Sequence, residues 1–201
     1  MTTCTQLGDV TGNFLRFPFF YHMTHKDNLA GILQHGILSW TNVHAQAISV
    51  VDISDAGAQK WRDREESAKH RVIHDYAPLY INPKNPMLFV RRGLQREIVI
   101  LKISPDVLQD GQHVFSDGNA ASRETKFSPN SDIVTDSIDA LNAQYWTNYV
   151  DGKRRRCAEL LVYPKVQPVY ILSGICSSNA LAVEIAMETD LHMEVDPSMF
   201  F

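Results

Sequence analysis

A chain of 201 residues, 44% of them hydrophobic, is long enough to bury a core as one domain spanning 1–201. Its formal net charge of −4 gives no global basic signature, so any nucleic-acid contact has to come from a local patch. Three cysteines (Cys4, Cys157, Cys176) without CxxC spacing argue against a disulfide framework and a cysteine zinc site, and fit a reducing cytoplasm. No apolar run reaches transmembrane length, and 1–13 shows neither the basic start nor the apolar core of a signal peptide, so no membrane association is expected.

Residues 17–23 (Phe-Pro-Phe-Phe-Tyr-His-Met) read as an aromatic-rich strand. Thr24 then caps a helix with Asp27 at its third position; Leu29, Ile32 and Leu33 form its apolar face, and Gly36 stops it. Residues 37–40 suggest a short strand and 41–54 an irregular stretch. The segment 58–71, dense in charge from Lys60 to Lys69, reads as a polar helix. Short strands at 78–81 and 87–91 flank a turn from Asn82 to Pro86, and the Val/Ile-rich segment 97–103 is the clearest strand. Turns at Asp117-Gly118-Asn119 and Ser128-Pro129-Asn130 precede a helix over 132–146. Strands at 158–163 and 168–175, a helix at 179–187 and a strand at 191–195 complete the chain. Strands outnumber long helices without regular βαβ alternation, which gives an α+β domain with a curved, mostly antiparallel or split sheet.

The chemistry-bearing residues are few. Glu159 opens an otherwise apolar strand directly after the basic run Lys153, Arg154, Arg155 and Arg156. Burying an unpaired carboxylate costs several kcal/mol, so Glu159 either faces solvent or lines a cleft where its charge is used. Far upstream, His22 and Thr24 place two hydrogen-bonding side chains on alternate positions of a strand. The pairs His22/His25 and His70/His74 carry no carboxylate in a metal-ligand spacing, and no metal is expected. GxGxxG, P-loop and GxSxG motifs are absent, which removes the usual markers of Rossmann, P-loop and α/β-hydrolase sites. Cys157 reads as a small apolar strand residue, and Arg62, taken alone, as part of a solvated, salt-bridged face.

Taken together, His22-Met23-Thr24-His25-Lys26-Asp27-Asn28-Leu29-Ala30-Gly31, Gln59-Lys60-Trp61-Arg62-Asp63-Arg64, His74-Asp75-Tyr76-Ala77-Pro78-Leu79-Tyr80 and Pro83-Lys84-Asn85-Pro86 resemble the DarT family. Phe115-Ser116-Asp117-Gly118, Gln144-Tyr145-Trp146 and 158–163 continue the similarity in the same order. DarT proteins are the toxins of DarT–DarG pairs, NAD-dependent ADP-ribosyltransferases that modify DNA. The resemblance implies an ADP-ribosyltransferase (PARP-like) fold, with a region of about 40–65 covering NAD and a long acceptor loop over about 116–159. It implies Glu159 and Arg62 as the catalytic pair. It also implies His22, Met23, Thr24, Gly31, Ser39, Arg62 and Tyr80 as the NAD-binding set, with no metal. Single-stranded DNA, held by Arg123, Arg154 and Arg155, is the implied acceptor, and a DarG-like macrodomain antitoxin the implied partner. Family members differ in modifying thymine or guanine, and this sequence leaves the base open. Other readings are transfer to RNA or protein, or a non-catalytic nucleotide- or nucleic-acid-binding module; Glu159 counts against the last, because a binding module has no need of it.

Overall fold

A computed structural model of the chain describes residues 9–11, 14–110 and 112–201; Cys4 and the polar stretch 1–8 lie outside the described residues. Strands β1 (Asp9–Thr11) and β2 (Phe14–Arg16) pair with each other. Next come β3 (Phe20–His25), α1 (Leu29–His35), β4 (Ile37–Leu38), α2 (Trp40–Ala45), α3 (Ala56–Gln59), β5 (Ala77–Tyr80), α4 (Pro86–Val90) and β6 (Ile98–Ile103). The second half holds β7 (Gln112–Ser116), β8 (Phe127–Ser128), α5 (Ile138–Asn142), α6 (Gly152–Arg155), β9 (Glu159–Tyr163), β10 (Lys165–Val166), β11 (Ile171–Cys176), α7 (Asn179–Glu188) and β12 (Met193–Val195).

Eight strands form one sheet in the order β12-β11-β6-β3-β5-β9-β7-β8. Within it only β11 and β12 run parallel. The expected mixed α+β architecture and mostly antiparallel sheet are therefore present. The split is also visible: β3 and β6 pair along six positions, whereas β3 and β5 share the single pair Tyr21 and Tyr80. Two half-sheets thus part from a narrow joint, and the gap beside it opens the cleft described below.

The central strands are buried on both faces, which is why β6 is apolar except at half-buried Lys102. Alternate residues Val99, Leu101 and Ile103 enter the main core with Phe20, Leu79 and Leu160; Ile98 and Ile100 enter a second cluster with Tyr21 and Met23. Leu181 and Ile185 of α7 and Leu29 of α1 cover the main core. Gly36 ends α1 at φ +86, and a Cβ there would stand 2.1 Å from the Val166 carbonyl oxygen, so both the turn and the close approach of β10 require glycine.

Several local expectations give way to capping and side-chain competition. Residues 87–91, expected as a strand, form helix α4, because Asn85 Oδ1 accepts from the Met87 and Leu88 amides and Pro86 occupies the first turn. Trp40, expected at a strand end, starts α2, with Ser39 Oγ accepting from the Asn42 amide. The expected cap at Thr24 lies one residue further on: His25 Nδ1 accepts from the Asp27 amide. The charged segment 58–71 is not a helix beyond α3 and a 3-10 turn at Lys60–Arg62. Fully buried Glu66 draws the Ala68, Lys69 and Arg71 amides onto its carboxylate, diverting them from helical pairing. The helix expected over 132–146 is a 3-10 segment at Ser131–Ser137 followed by short α5. Arg156 Nη1 takes the Ala140, Leu141 and Ala143 carbonyls and ends it. The expected strand over 168–175 begins only at Ile171, after a 3-10 turn.

Candidate active site

The gap between the half-sheets opens into a cleft of about 720 Å³. His22, Met23 and Thr24 of β3, Gly31 of α1, Tyr80 of β5 and Arg62 all line it, so six positions from three separate sequence segments converge there. Ser39 is buried and absent from this lining, its hydroxyl engaged as the cap of α2.

Register places Glu159 opposite Tyr80, as the first residue of β9. Its side chain is 1% exposed, behind Arg62. Arg62 Nη2 donates to both carboxylate oxygens at 2.8 Å, and the Ala120 amide donates to Oε1 at 2.9 Å. The Glu159 amide is held by Ser116 Oγ at 2.9 Å, and the same hydroxyl donates to the Gly118 carbonyl at 2.7 Å. A buried carboxylate is thus stabilised by one cation and one loop amide, which meets the cost of removing it from water. Burial is the largest influence on Arg62 and opposes its charge, but Glu159 together with Tyr80 and Cys157 outweighs it and holds the guanidinium above its ordinary range. Burial and then the Glu159 charge raise the Tyr80 hydroxyl, which stays protonated. Burial with the same neighbour pushes the Cys157 thiol up to about 12, which leaves it inert at neutral pH.

His22 lies 3.0 Å through Nδ1 from the Pro78 carbonyl. A carbonyl only accepts, so Nδ1 carries the proton and Nε2 is the acceptor. Burial lowers the pKa of this ring, and the Pro78 bond opposes the shift.

Part of the cleft lining, residues 48–55, comes from a stretch the sequence left largely irregular. Asn28 bridges to the 48–55 stretch: its Nδ2 donates to the Val51 carbonyl at 3.0 Å and its Oδ1 accepts from the Val51 amide at 2.8 Å. On the far side Arg91 Nε donates to the Ile53 carbonyl at 2.7 Å. His74 joins the segment carrying Arg62 to the fold, with Nδ1 2.8 Å from Asp63, Nε2 2.9 Å from Gln59 and its ring stacked on Trp40.

The basic residues between 116 and 159 divide. Arg154 borders the cleft but pairs with Asp117 at 2.7 Å and Asp151 at 2.5 Å. Arg155 turns to Asp139 and the Asp136 carbonyl. Arg156 is 4% exposed, and burial lowers its pKa to about 10. Arg123 is exposed, its guanidinium 4.2 Å from the centre of the Trp61 ring. The Ala120 amide, Asn28 and Trp61 carried no assigned role in the sequence reading. A backbone amide leaves no trace in residue identity, whereas Asn28 and Trp61 lay inside the motifs that carried the resemblance.

Among the described residues no group of three potential metal ligands gathers, and no helix is long and apolar enough to cross a membrane.

Comparison with known proteins adds the following. A DNA ADP-ribosyl transferase–DNA ADP-ribosyl glycohydrolase fusion protein of Thermosipho africanus is 31% identical over 196 residues, covering 94% of this chain and 50% of the fusion. This chain therefore spans about half the length of that relative. The solved structure of Thermosipho africanus DarTG in complex with ADP-ribose superposes with a TM-score of 0.82 at 30% identity, over 92% of this chain and 51% of that one. Thermus sp. 2.9 DarT in complex with ADP-ribosylated ssDNA shares the fold, with a TM-score of 0.79 at 23% identity over 92% of this chain and 96% of that one. The sequence model described as "ssDNA thymidine ADP-ribosyltransferase, DarT" matches residues 21–201. That match starts on the strand that carries His22 and runs through Glu159 to the last residue, so this chain belongs to the DarT family.

Proposed function

We propose that this protein transfers ADP-ribose from NAD to a thymidine base of single-stranded DNA, releasing nicotinamide, and acts as a toxin by blocking replication. The observation that carries the reading is the buried Glu159 carboxylate, outside the cleft lining itself but held directly behind Arg62 by that guanidinium and the Ala120 amide. Cleavage of the nicotinamide–ribose bond develops positive charge at the anomeric carbon. A preorganised carboxylate beside that carbon stabilises it without solvent reorganisation. The attacking base nitrogen forms the new bond to that carbon and gives up its proton.

Arg62 is a poor acceptor for that proton, since its guanidinium is held above its ordinary range. In this reading Glu159 takes it, with Arg62 stabilising the charge on the deprotonating base. His22 Nε2, as an acceptor, suits a donor group of NAD, and Tyr80 offers an aromatic face to the nicotinamide ring. The Asn28-bound 48–55 stretch would cover the cofactor. An unpaired acceptor strand fits better than a duplex, because the attacked ring nitrogen is hidden in a base pair. The thymidine assignment follows the description of the matching family. The joined glycohydrolase of the Thermosipho relative supports a macrodomain antitoxin as the partner that removes the mark.

Incubation with NAD and a panel of single-stranded DNA and RNA oligonucleotides, read by intact mass, tests this. An ADP-ribose mass on thymidine-containing DNA, lost in Glu159→Gln, is the expected outcome. Mass on RNA alone, or NAD consumption with no modified oligonucleotide, would overturn the DNA assignment.

A further inference from the structure

Beside the catalytic pair stands a cationic cluster that the reaction as described does not use. Arg62, Arg64 and Arg123 gather there, and among the described residues neither Arg64 nor Arg123 makes an ion pair. Arg64 Nη2 instead donates to the Ala120 carbonyl at 3.2 Å and the Ser122 carbonyl at 2.6 Å. Burial first, and then the charges of Arg123 and Arg62, hold its pKa below the ordinary value, as expected of guanidinium groups crowded together. Among the described residues the pair of Arg62 with Glu159 is the one ion pair that any of the three arginines makes. Such a cluster attracts an anion.

A large apolar surface adjoins this charge. Trp61, next to Arg62 in the chain, leaves 45% of its surface in water, and the Arg123 guanidinium lies over its ring. The stack ties the segment carrying Arg62 to the acceptor loop. An exposed indole beside uncompensated guanidinium groups is the pairing that proteins use to hold single-stranded nucleic acid, with the ring stacking on a base and the cation meeting the phosphate.

We propose that Trp61 and Arg123 form a platform for the nucleotide adjoining the acceptor base, its base stacked on Trp61 and its phosphate held by Arg123. The inference rests on single-stranded DNA being the acceptor. The neighbour, rather than the acceptor itself, is assigned here because the acceptor base has to reach the buried Glu159. Stacking of this kind tolerates every base, so the platform supplies affinity and position more than sequence choice.

The test is steady-state transfer from NAD to a short thymidine-containing oligonucleotide, for the wild type and for Trp61→Ala, Trp61→Phe and Arg123→Ala. Loss of one base stack corresponds to an affinity loss of about tenfold to a hundredfold. The expected result is a rise of that size in the KM for oligonucleotide in Trp61→Ala, a smaller rise in Arg123→Ala, and near-wild-type behaviour in Trp61→Phe. If Trp61→Ala does not fold, Trp61→Phe beside Trp61→Leu decides, since leucine keeps apolar bulk without an aromatic face. An oligonucleotide KM within twofold of wild type in the non-aromatic variant, or a loss that phenylalanine does not restore, overturns the platform while leaving the transferase reading intact. A wild type that modifies no single-stranded DNA overturns both.

Discussion

One nitrogen of Arg62 lies 2.8 Å from each carboxylate oxygen of Glu159, although 97 positions separate the two residues in sequence. With the Ala120 amide on Oε1, the carboxylate has its charge stabilised before any substrate arrives. Arg62 therefore has two roles, as a structural counter-ion and as a group facing the cleft.

These roles can be separated. Arg62→Ala leaves the 1%-exposed carboxylate of Glu159 with one amide donor, and an uncompensated buried charge of this kind costs about 3–5 kcal/mol. Urea unfolding should show a loss of that order for Arg62→Ala and a smaller loss for Glu159→Gln. The double variant should be more stable than Arg62→Ala alone. Additive losses would mean that the pair is not energetically coupled. Both single variants should lose transfer activity by about a thousandfold or more, as expected on removal of preorganised electrostatic stabilisation.

Asn28 gives a second prediction, on the cover of the cleft. Its side-chain amide pairs with both backbone groups of Val51, imitating a strand neighbour. Asn28→Ala removes these two hydrogen bonds and a third, from Nδ2 to Thr24 Oγ1 at 3.1 Å, each worth about 1 kcal/mol. The KM for NAD should rise about tenfold, with faster amide exchange at Val51 and little change in melting temperature. A loss confined to global stability would show that this bridge holds the core and not the cover.

Glu66 supports a prediction about folding. It is fully buried and accepts from three backbone amides and from the Tyr76 hydroxyl at 2.9 Å. Glu66→Gln keeps the shape but turns an amide nitrogen toward donors, so the loss should reach about 2–4 kcal/mol. The lost protection should concentrate over 64–76 in hydrogen exchange. Wild-type-like unfolding would mean that this loop is held from elsewhere.

How far the sequence foretold these elements follows a physical line. The Val/Ile-rich core of 97–103 and the stop at Gly36 were legible, because burial on two faces and a positive φ leave marks on residue type. The strong helical charge pattern of 58–71 misled, because Glu66 claims amides that a helix would use. Asn85-Pro86 was read as a turn, although the same pair is a helix start. The cleft itself depends on β3 and β5 meeting at one pair, and no local pattern encodes how far two strands stay together. The meeting of His22, Arg62 and Glu159 came from resemblance to a family rather than from spacing. In the structure the Ser39 hydroxyl caps a helix and the Arg155 guanidinium meets Asp139, contacts that no motif reveals.

His22 carries the last prediction, a pH dependence. Burial lowers its pKa from the ordinary 6.5, with the Pro78 bond opposing, so the folded protein favours the neutral ring that donates through Nδ1. The unfolded chain takes up a proton near the ordinary value, ahead of the folded one. The stability contributed by neutral His22 is therefore fully present above about pH 6.5 and is lost as pH falls toward the folded pKa. His74 is lowered as well, burial outweighing Asp63, and adds a loss of the same sign. Each histidine contributes at most about 1.4 kcal/mol per pH unit. Urea unfolding at pH 7.5 and 5.5 should show the wild type weakening more than His22→Asn, whose amide replaces the donor without titrating. NAD affinity in the wild type should fall only further down, as pH passes the lowered pKa of the folded ring, because a protonated Nε2 no longer accepts. Equal slopes in the two proteins would mean that His22 takes up its proton equally in the folded and unfolded chains and that another group sets the acid limb.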